Sequence, residues 1–287
     1  MNLINFIRKN SKLNQQDFAS ALHVSFATVN RWENNKTIPS PLFQKALYEF
    51  CLQNNIDIID YIMETLTQER LKLEATYPKE KVLFHGSKSG IDGKIRPISR
   101  SQCDFGKGFY MGNDYINPFS LICNHKNSKL YLVSIDMTDL NVLKIPSDIS
   151  WAFVVAYNRG RLDIVKGKEI YNQYKEMLHG CDLIIGNIAD DRMFFVLDNF
   201  FEGNISDVAL VDSLSSLHLG IQYVAVTQKA CDQIRILQEY NPLELELMAF
   251  KDVSELRRLE GITKANEICK KHRREGKFFD EYLGDFK

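Results

Sequence analysis

Two short stretches carry residue types that could do chemistry together: Leu83-Phe84-His85-Gly86-Ser87 and Gly106-Lys107-Gly108-Phe109-Tyr110-Met111-Gly112. Each reads as an apolar strand that ends in a polar side chain beside glycine. His85 and Tyr110 are 25 residues apart. An imidazole and a phenol ring on neighbouring strands suit a flat, polar ligand. The ring supplies stacking, the imidazole a hydrogen bond, and the glycines let backbone approach closely.

The elements that must position these residues begin with an N-terminal helical region over residues 1–66. Leu3, Ile4 and Ile7 share one helical face, and Phe18, Ala19 and Leu22 another. Ser25 is placed to cap a helix from Phe26 to Glu33, with Val29 and Trp32 facing inward. A short turn at His23-Val24 separates these last two helices, which is the helix-turn-helix arrangement. Residues 67–80 read as a linker, broken at Ala75-Thr76-Tyr77-Pro78. Residues 81–240 change character. Runs at 82–85, 109–112, 130–135, 183–186, 223–227 and 234–237 read as strands, with helices at 115–123, 149–157, 193–201, 208–217 and 229–233. The expected fold class is therefore α+β, a small all-helical domain followed by a mixed, split sheet. A helical extension over 241–287 carries the basic cluster Lys270-Lys271-His272-Arg273-Arg274, expected to be a solvated helix face.

Composition narrows the function classes. The chain has 287 residues, 45% of them hydrophobic and 25% charged, with a formal net charge of −1. Such a chain has no global pull toward nucleic acid or membrane, so any nucleic-acid binding needs a local patch. No apolar run approaches the ~18 residues of a membrane span. The opening Met1-Asn2-Leu3-Ile4-Asn5 lacks the parts of a signal peptide, and the six cysteines form no Cys-x-x-Cys pair. Reduced thiols in a cytoplasmic protein, with no metal, are expected. Gly-x-Gly-x-x-Gly is absent, which argues against a Rossmann nucleotide site.

Gln16, Ala19, Val24-Ser25, Thr28-Val29, Arg31 to Asn34 and Pro39-Ser40 together resemble the phage-repressor-like helix-turn-helix family. That resemblance implies a recognition helix in the major groove of duplex DNA, with contacts from residues 14–36. Ser25, Phe26, Thr28, Asn30 and Arg31 are then the candidates for base and phosphate contacts, with Gln15 and Gln16 beside the backbone. The segment 1–66 holds six basic and six acidic residues, so a bundle used for protein contact or homodimerisation stays open beside DNA binding.

The strand with His85, a loop, the strand with Tyr110 and a following helix resemble the nicotinamide-dependent ADP-ribosyltransferase superfamily. The resemblance covers about Lys81 to Leu237. It implies NAD as substrate, nicotinamide as leaving group, and a macromolecular acceptor of protein or nucleic acid. His85 would bond a ribose hydroxyl, the Gly86 backbone would hold the carboxamide, Ser87 would bond a ribose, and Tyr110 would stack on the nicotinamide ring. The superfamily's late-strand glutamate is matched by Gln222, which bonds hydroxyls but cannot act as a base. Asp190 or Asp191, beside Arg192, is expected to supply a carboxylate or to cap the helix that follows. Together with Cys103-Asp104 and Gln222-Tyr223, these features resemble an uncharacterised bacterial branch. Asp104 and Lys107 flank the Tyr110 strand and are expected on a solvated loop, with a pyrophosphate contact the other reading and Lys107 the better candidate for it; Arg96 and Arg100 lie between the two motifs. His23, His125, His179 and His218 are expected to be fillers without a role. The functional expectation is an NAD-dependent ADP-ribosyltransferase, a toxin, defence or self-regulating enzyme, coupled to DNA binding. The alternative is a transcriptional regulator with an inactive NAD- or ADP-ribose-binding domain.

Overall fold

The computed structural model describes residues 2–189, 191–217 and 220–284, with only the backbone of Asp191. Five helices open the chain: α1 (Leu3–Asn10), α2 (Gln15–Ala21), α3 (Phe26–Glu33), α4 (Pro41–Gln53) and α5 (Ile58–Thr76). Their starts follow from local chemistry. Asn2, Asn14, Ser25 and Asp57 each accept a backbone N–H of the next turn, and Pro41 opens α4 where its missing donor costs nothing. His23 holds a left-handed φ of 54° between α2 and α3, which makes that turn tight. Glu33 joins the first three helices, accepting from Arg8 at 2.5 Å, Gln15 at 2.6 Å and Asn5 at 3.2 Å.

Then come β1 (Lys81–Ser87), β2 (Phe109–Gly112), α6 (Ile116–Ile122), β3 (Lys129–Ile135), β4 (Val142–Lys144), α7 (Ile149–Asn158), α8 (Glu169–Met177), β5 (Leu183–Asn187), α9 (Asp191–Phe201), α10 (Asp207–Ser216), β6 (Ile221–Ala225), α11 (Gln228–Asp232), β7 (Ile234–Tyr240), α12 (Glu244–Lys271) and α13 (Phe279–Gly284). The strands form one sheet in the order β4-β5-β6-β2-β1-β3-β7, antiparallel except for β4 with β5. This is the expected α+β class. β1 pairs with β3 along its whole length, Lys81 with Ile135 to Ser87 with Lys129, but with β2 only at Phe84 and Gly112. The sheet is therefore parted in its middle, next to His85.

Strand alternation divides the core. Val82, Phe84, Leu130 and Leu132 pack with α1–α6 and the start of α12. Leu83, Met111, Tyr131 and Val133 face the other side. The β5–β6 half covers a third cluster around α7, whose residues Trp151 to Ala156 are all buried. A helix apolar all round belongs in a core, not on a surface.

The helix-prone part of the 67–80 segment continues α5 as far as Thr76, with Leu66 and the residues before it anchored in the core. The helical 241–287 segment packs on the rest of the chain: Leu245, Leu247, Ala249 and Phe250 of α12 share one core with Leu47 and Tyr48 of α4 and Phe119 of α6. β4 and α8 were not expected. β4 is three residues on a sheet edge, and α8 lies in a polar stretch.

Candidate functional site

The parting between β1 and β2 opens into a cleft of about 1020 Å³, the size of a small-molecule or cofactor site. Its floor is made by His85, Gly86, Tyr110, Gly112 and Gln222; one wall is the 88–108 loop, and the other comes from α6, α9 and α12.

His85 and Tyr110 meet, but not as two sides of a sandwich. The His85 Nδ1 lies 2.7 Å from the Tyr110 carbonyl oxygen. An oxygen acceptor there puts the proton on Nδ1 and leaves Nε2 as the free acceptor of the neutral ring. Burial lowers the imidazole's pKa, offset in part by that same bond. The His85 ring stacks on Phe109, centroids 4.1 Å apart and 20° between planes. Tyr110 alternates to the other face, pairs with Val224 and packs on the α7 cluster. Its hydroxyl donates to the Gly106 carbonyl at 2.7 Å and accepts from the Phe105 N–H at 3.1 Å, which pins the loop. Burial pushes this phenol far above its ordinary pKa.

A Cβ on Gly86 would lie 2.5 Å from the Pro118 carbonyl, so α6 can approach only because this residue is glycine. Ser87 donates to the Gly90 carbonyl at 2.8 Å and shapes the start of the loop wall.

Gln222 is 5% exposed. Its Nε2 donates to the Asn187 carbonyl at 2.9 Å and to Asp104 Oδ2 at 3.2 Å. Both partners are oxygens, so the amide orientation is fixed by chemistry and Oε1 remains the acceptor for a ligand. Asp104 corrects the expectation of a solvated loop residue. It is 8% exposed, accepts from Arg159 Nη2 at 2.6 Å through Oδ1, and from the Ala189 N–H at 3.0 Å through Oδ2. Asn158 holds the Asp104 backbone carbonyl at 3.1 Å, and the Arg159 guanidinium lies 4.2 Å above the Phe194 ring. This carboxylate, guanidinium and amide come from positions 104, 159 and 222. No local spacing joins them; the one signal was the placement of Asp104 just before the Tyr110 strand.

Lys107 is exposed and outside the cleft lining, because Gly106 and Gly108 turn the loop between buried residues on either side. Arg96 and Arg100 do line the cleft, as does His125, which was expected to have no role. Asp190, the side chain of Asp191 and His218 lie outside the described residues. Among the lining cations, Arg159 pairs with Asp104 and Lys94 with Asp232. Lys88, Arg96 and Arg100 from the loop, and Arg257 and Arg258 from α12, add positive charge on opposite walls. Among the described residues no group of three His, Cys, Asp or Glu comes together to hold a metal ion, and no helix is long and apolar enough to cross a membrane.

At the other end of the chain, Gln16, Ser25, Phe26 and Arg31 are exposed and Thr28 and Asn30 half-buried. The Ser25 hydroxyl caps α3 by accepting from the Thr28 N–H at 3.1 Å and bonds the Thr28 hydroxyl at 2.8 Å. Phe26 is 45% exposed, a high value for a large apolar side chain.

Residues 4–43 match the helix-turn-helix family model, and residues 81–236 match the model described as "Protein of unknown function (DUF3990)". No curated protein and no solved structure matches the chain. The second match spans more than half of the sequence and takes in the whole parted floor of the cleft, so the chain belongs to the DUF3990 family.

Proposed function

We propose that this protein is an NAD-dependent ADP-ribosyltransferase coupled to a DNA-binding helix-turn-helix. The observation that carries the reading is the cleft lining: His85, Gly86, Ser87, Tyr110 and Gln222, five of the positions that the superfamily resemblance marks, line one cavity. The cations of the 88–108 loop complement a pyrophosphate. His85 Nε2 and Gln222 Oε1 are acceptors for ribose hydroxyls, and the Tyr110 ring borders the nicotinamide position.

In the transfer the bond between the ribose C1′ and the nicotinamide nitrogen breaks. Its electron pair leaves with the now neutral nicotinamide. An acceptor oxygen or nitrogen bonds C1′ and releases a proton to water. The positive centre developing at the ribose needs preorganised negative charge or dipoles. Gln222 supplies a dipole, oriented by Asp104. The Asp104 charge at Nε2 polarises the amide, which makes Oε1 the stronger acceptor.

Nicotinamide release from labelled NAD tests the reading. Turnover in the wild type, with loss in His85→Ala and Gln222→Ala, is expected; wild-type NAD binding without any release would replace the enzyme with a regulator that binds NAD or ADP-ribose. One observation favours that second reading: Gln222 is uncharged and the Asp104 charge is already paired with Arg159.

For the N-terminal domain, α3 is the recognition helix in this proposal, with Gln16, Ser25, Phe26, Thr28, Asn30 and Arg31 at the duplex. A salt-dependent shift of duplex DNA that is lost in Arg31→Ala is the expected result.

A further inference from the structure

The two cationic walls of the cleft are separate features. Lys88, Arg96 and Arg100 stand on the loop wall, whereas Arg257 and Arg258 stand on α12 across the floor. In the function proposed above, the two negative charges of a dinucleotide pyrophosphate fall to the loop wall, which leaves Arg257 and Arg258 for another anion. Arg257 and Arg258 add two guanidinium groups to that side of the cleft, in a chain whose overall net charge is only −1.

The rest of the α12 wall is polar in the same sense. The Ser254 and Ser120 hydroxyls are 2.7 Å apart, tying α12 to α6, and Asn117 of α6 and Asn124 just after it line the same side. Hydroxyl, amide and guanidinium groups together suit phosphate and sugar, and guanidinium planes also stack on bases.

α12 is also the helix on which the helix-turn-helix region is mounted. The Tyr48 hydroxyl donates to Asp252 at 2.5 Å, and the Glu244 N–H donates to Gln44 Oε1 at 2.5 Å. Asp252 and Arg257 are separated by roughly 7.5 Å along the helix axis. Packing of α4 on α12 thus ties the helix-turn-helix region to the helix that carries the cleft's second cationic wall.

We infer that the α12 wall, centred on Arg257 and Arg258, is a binding site for a nucleic-acid strand, which is the ADP-ribose acceptor. The acceptor role rests on the function proposed above; the binding site does not. A labelled single-stranded oligonucleotide of mixed sequence, titrated onto the full chain, tests it. Arg257→Ala/Arg258→Ala is expected to weaken strand binding at least tenfold. The slope of log affinity against log salt should fall by about 1.4, at ~0.7 per lost phosphate contact. Arg257→Lys/Arg258→Lys should retain part of the affinity, since charge survives and the planar fork does not. NAD affinity by calorimetry should be unchanged in both variants. Strand binding by the double alanine variant equal to wild type overturns the site. So does displacement of the strand by polyglutamate at equal charge, which would mark an acidic protein as the occupant. A wild type that binds the strand but not NAD sinks the proposed reaction while the strand site stands.

Discussion

The helix-turn-helix gathers most of its candidate contact residues on one short helix and the turn before it, Ser25 to Arg31, whereas the cleft draws Gly86, Asp104, Arg159 and Gln222 from a span of more than a hundred residues. In the first region a site is a stretch of sequence. In the second it is an intersection of strands and loops. The first depends on its core, which holds α3 at the right angle; the second depends on individual bonds, because each polar group of its floor is oriented by another. The α12 helix belongs to both, with Leu245 and Phe250 in the N-terminal core and Ser254 in the cleft wall.

The largest expected effect comes from the N-terminal core. Trp32 is buried against Phe43, ring centroids 5.5 Å apart. Trp32→Ala should destabilise by about 3–5 kcal/mol, read by denaturant unfolding. If NAD binding in the cleft survives that loss, the two regions are thermodynamically separable. If it does not, the shared α12 core makes them one unit.

Next is Glu246, on α12 where the regions join. It is 2% exposed, and burial pushes its carboxyl up to about 7 despite bonds from the Tyr240 hydroxyl and the Leu243 N–H. A carboxyl whose folded pKa is raised stabilises fully below its unfolded value and loses that contribution as pH climbs through the folded one. Between pH 4.5 and 7 this group should withdraw roughly 3 kcal/mol of stability. Glu246→Gln is expected to flatten the pH dependence of the melting temperature across that window. Glu33 has the opposite sign. Burial would raise its pKa, but Arg8, Gln15 and Asn5 hold it below the ordinary value, so its contribution is lost as pH falls below 4.5.

For the cleft, Asp104→Asn should lower nicotinamide release about 100-fold, near 2.7 kcal/mol in barrier, with a smaller change in NAD affinity. Gln222→Glu should not raise the rate above wild type, because its carboxylate would face Asp104 across a hydrogen-bond distance in place of a donor amide. The exchanged pair Asp104→Asn/Gln222→Glu keeps one carboxylate and one amide, and should exceed either single variant. Equal rates in all three would reduce Asp104 to a structural residue. The smallest effect is Arg31→Ala, expected to weaken duplex binding about tenfold and to lower the salt slope by about 0.9.

Much of this was legible before the fold was known. Ser25, Val29 and Trp32 announced α3 through a cap and a helical period, and that helix runs from Phe26 to Glu33 as read. The strands of His85, Tyr110 and Gln222 stood out as short apolar runs. Asp104 was misread because its burial depends on Arg159 and Gln222, neither of which is near it in sequence. The same reason hid the role of α12, whose apolar residues look like an ordinary helix until α4 and α6 are set against them.

By itself, then, the sequence determined the local elements and the residue types at the cleft floor, since caps, turns and apolar periods act over a few residues. The tertiary structure alone decided which side chains face one another. It set His85 and Tyr110 on opposite faces of a parted sheet. It also turned Asp104 inward onto Gln222 and Arg159, because a buried carboxylate is tolerated only where donors from elsewhere in the chain converge on it.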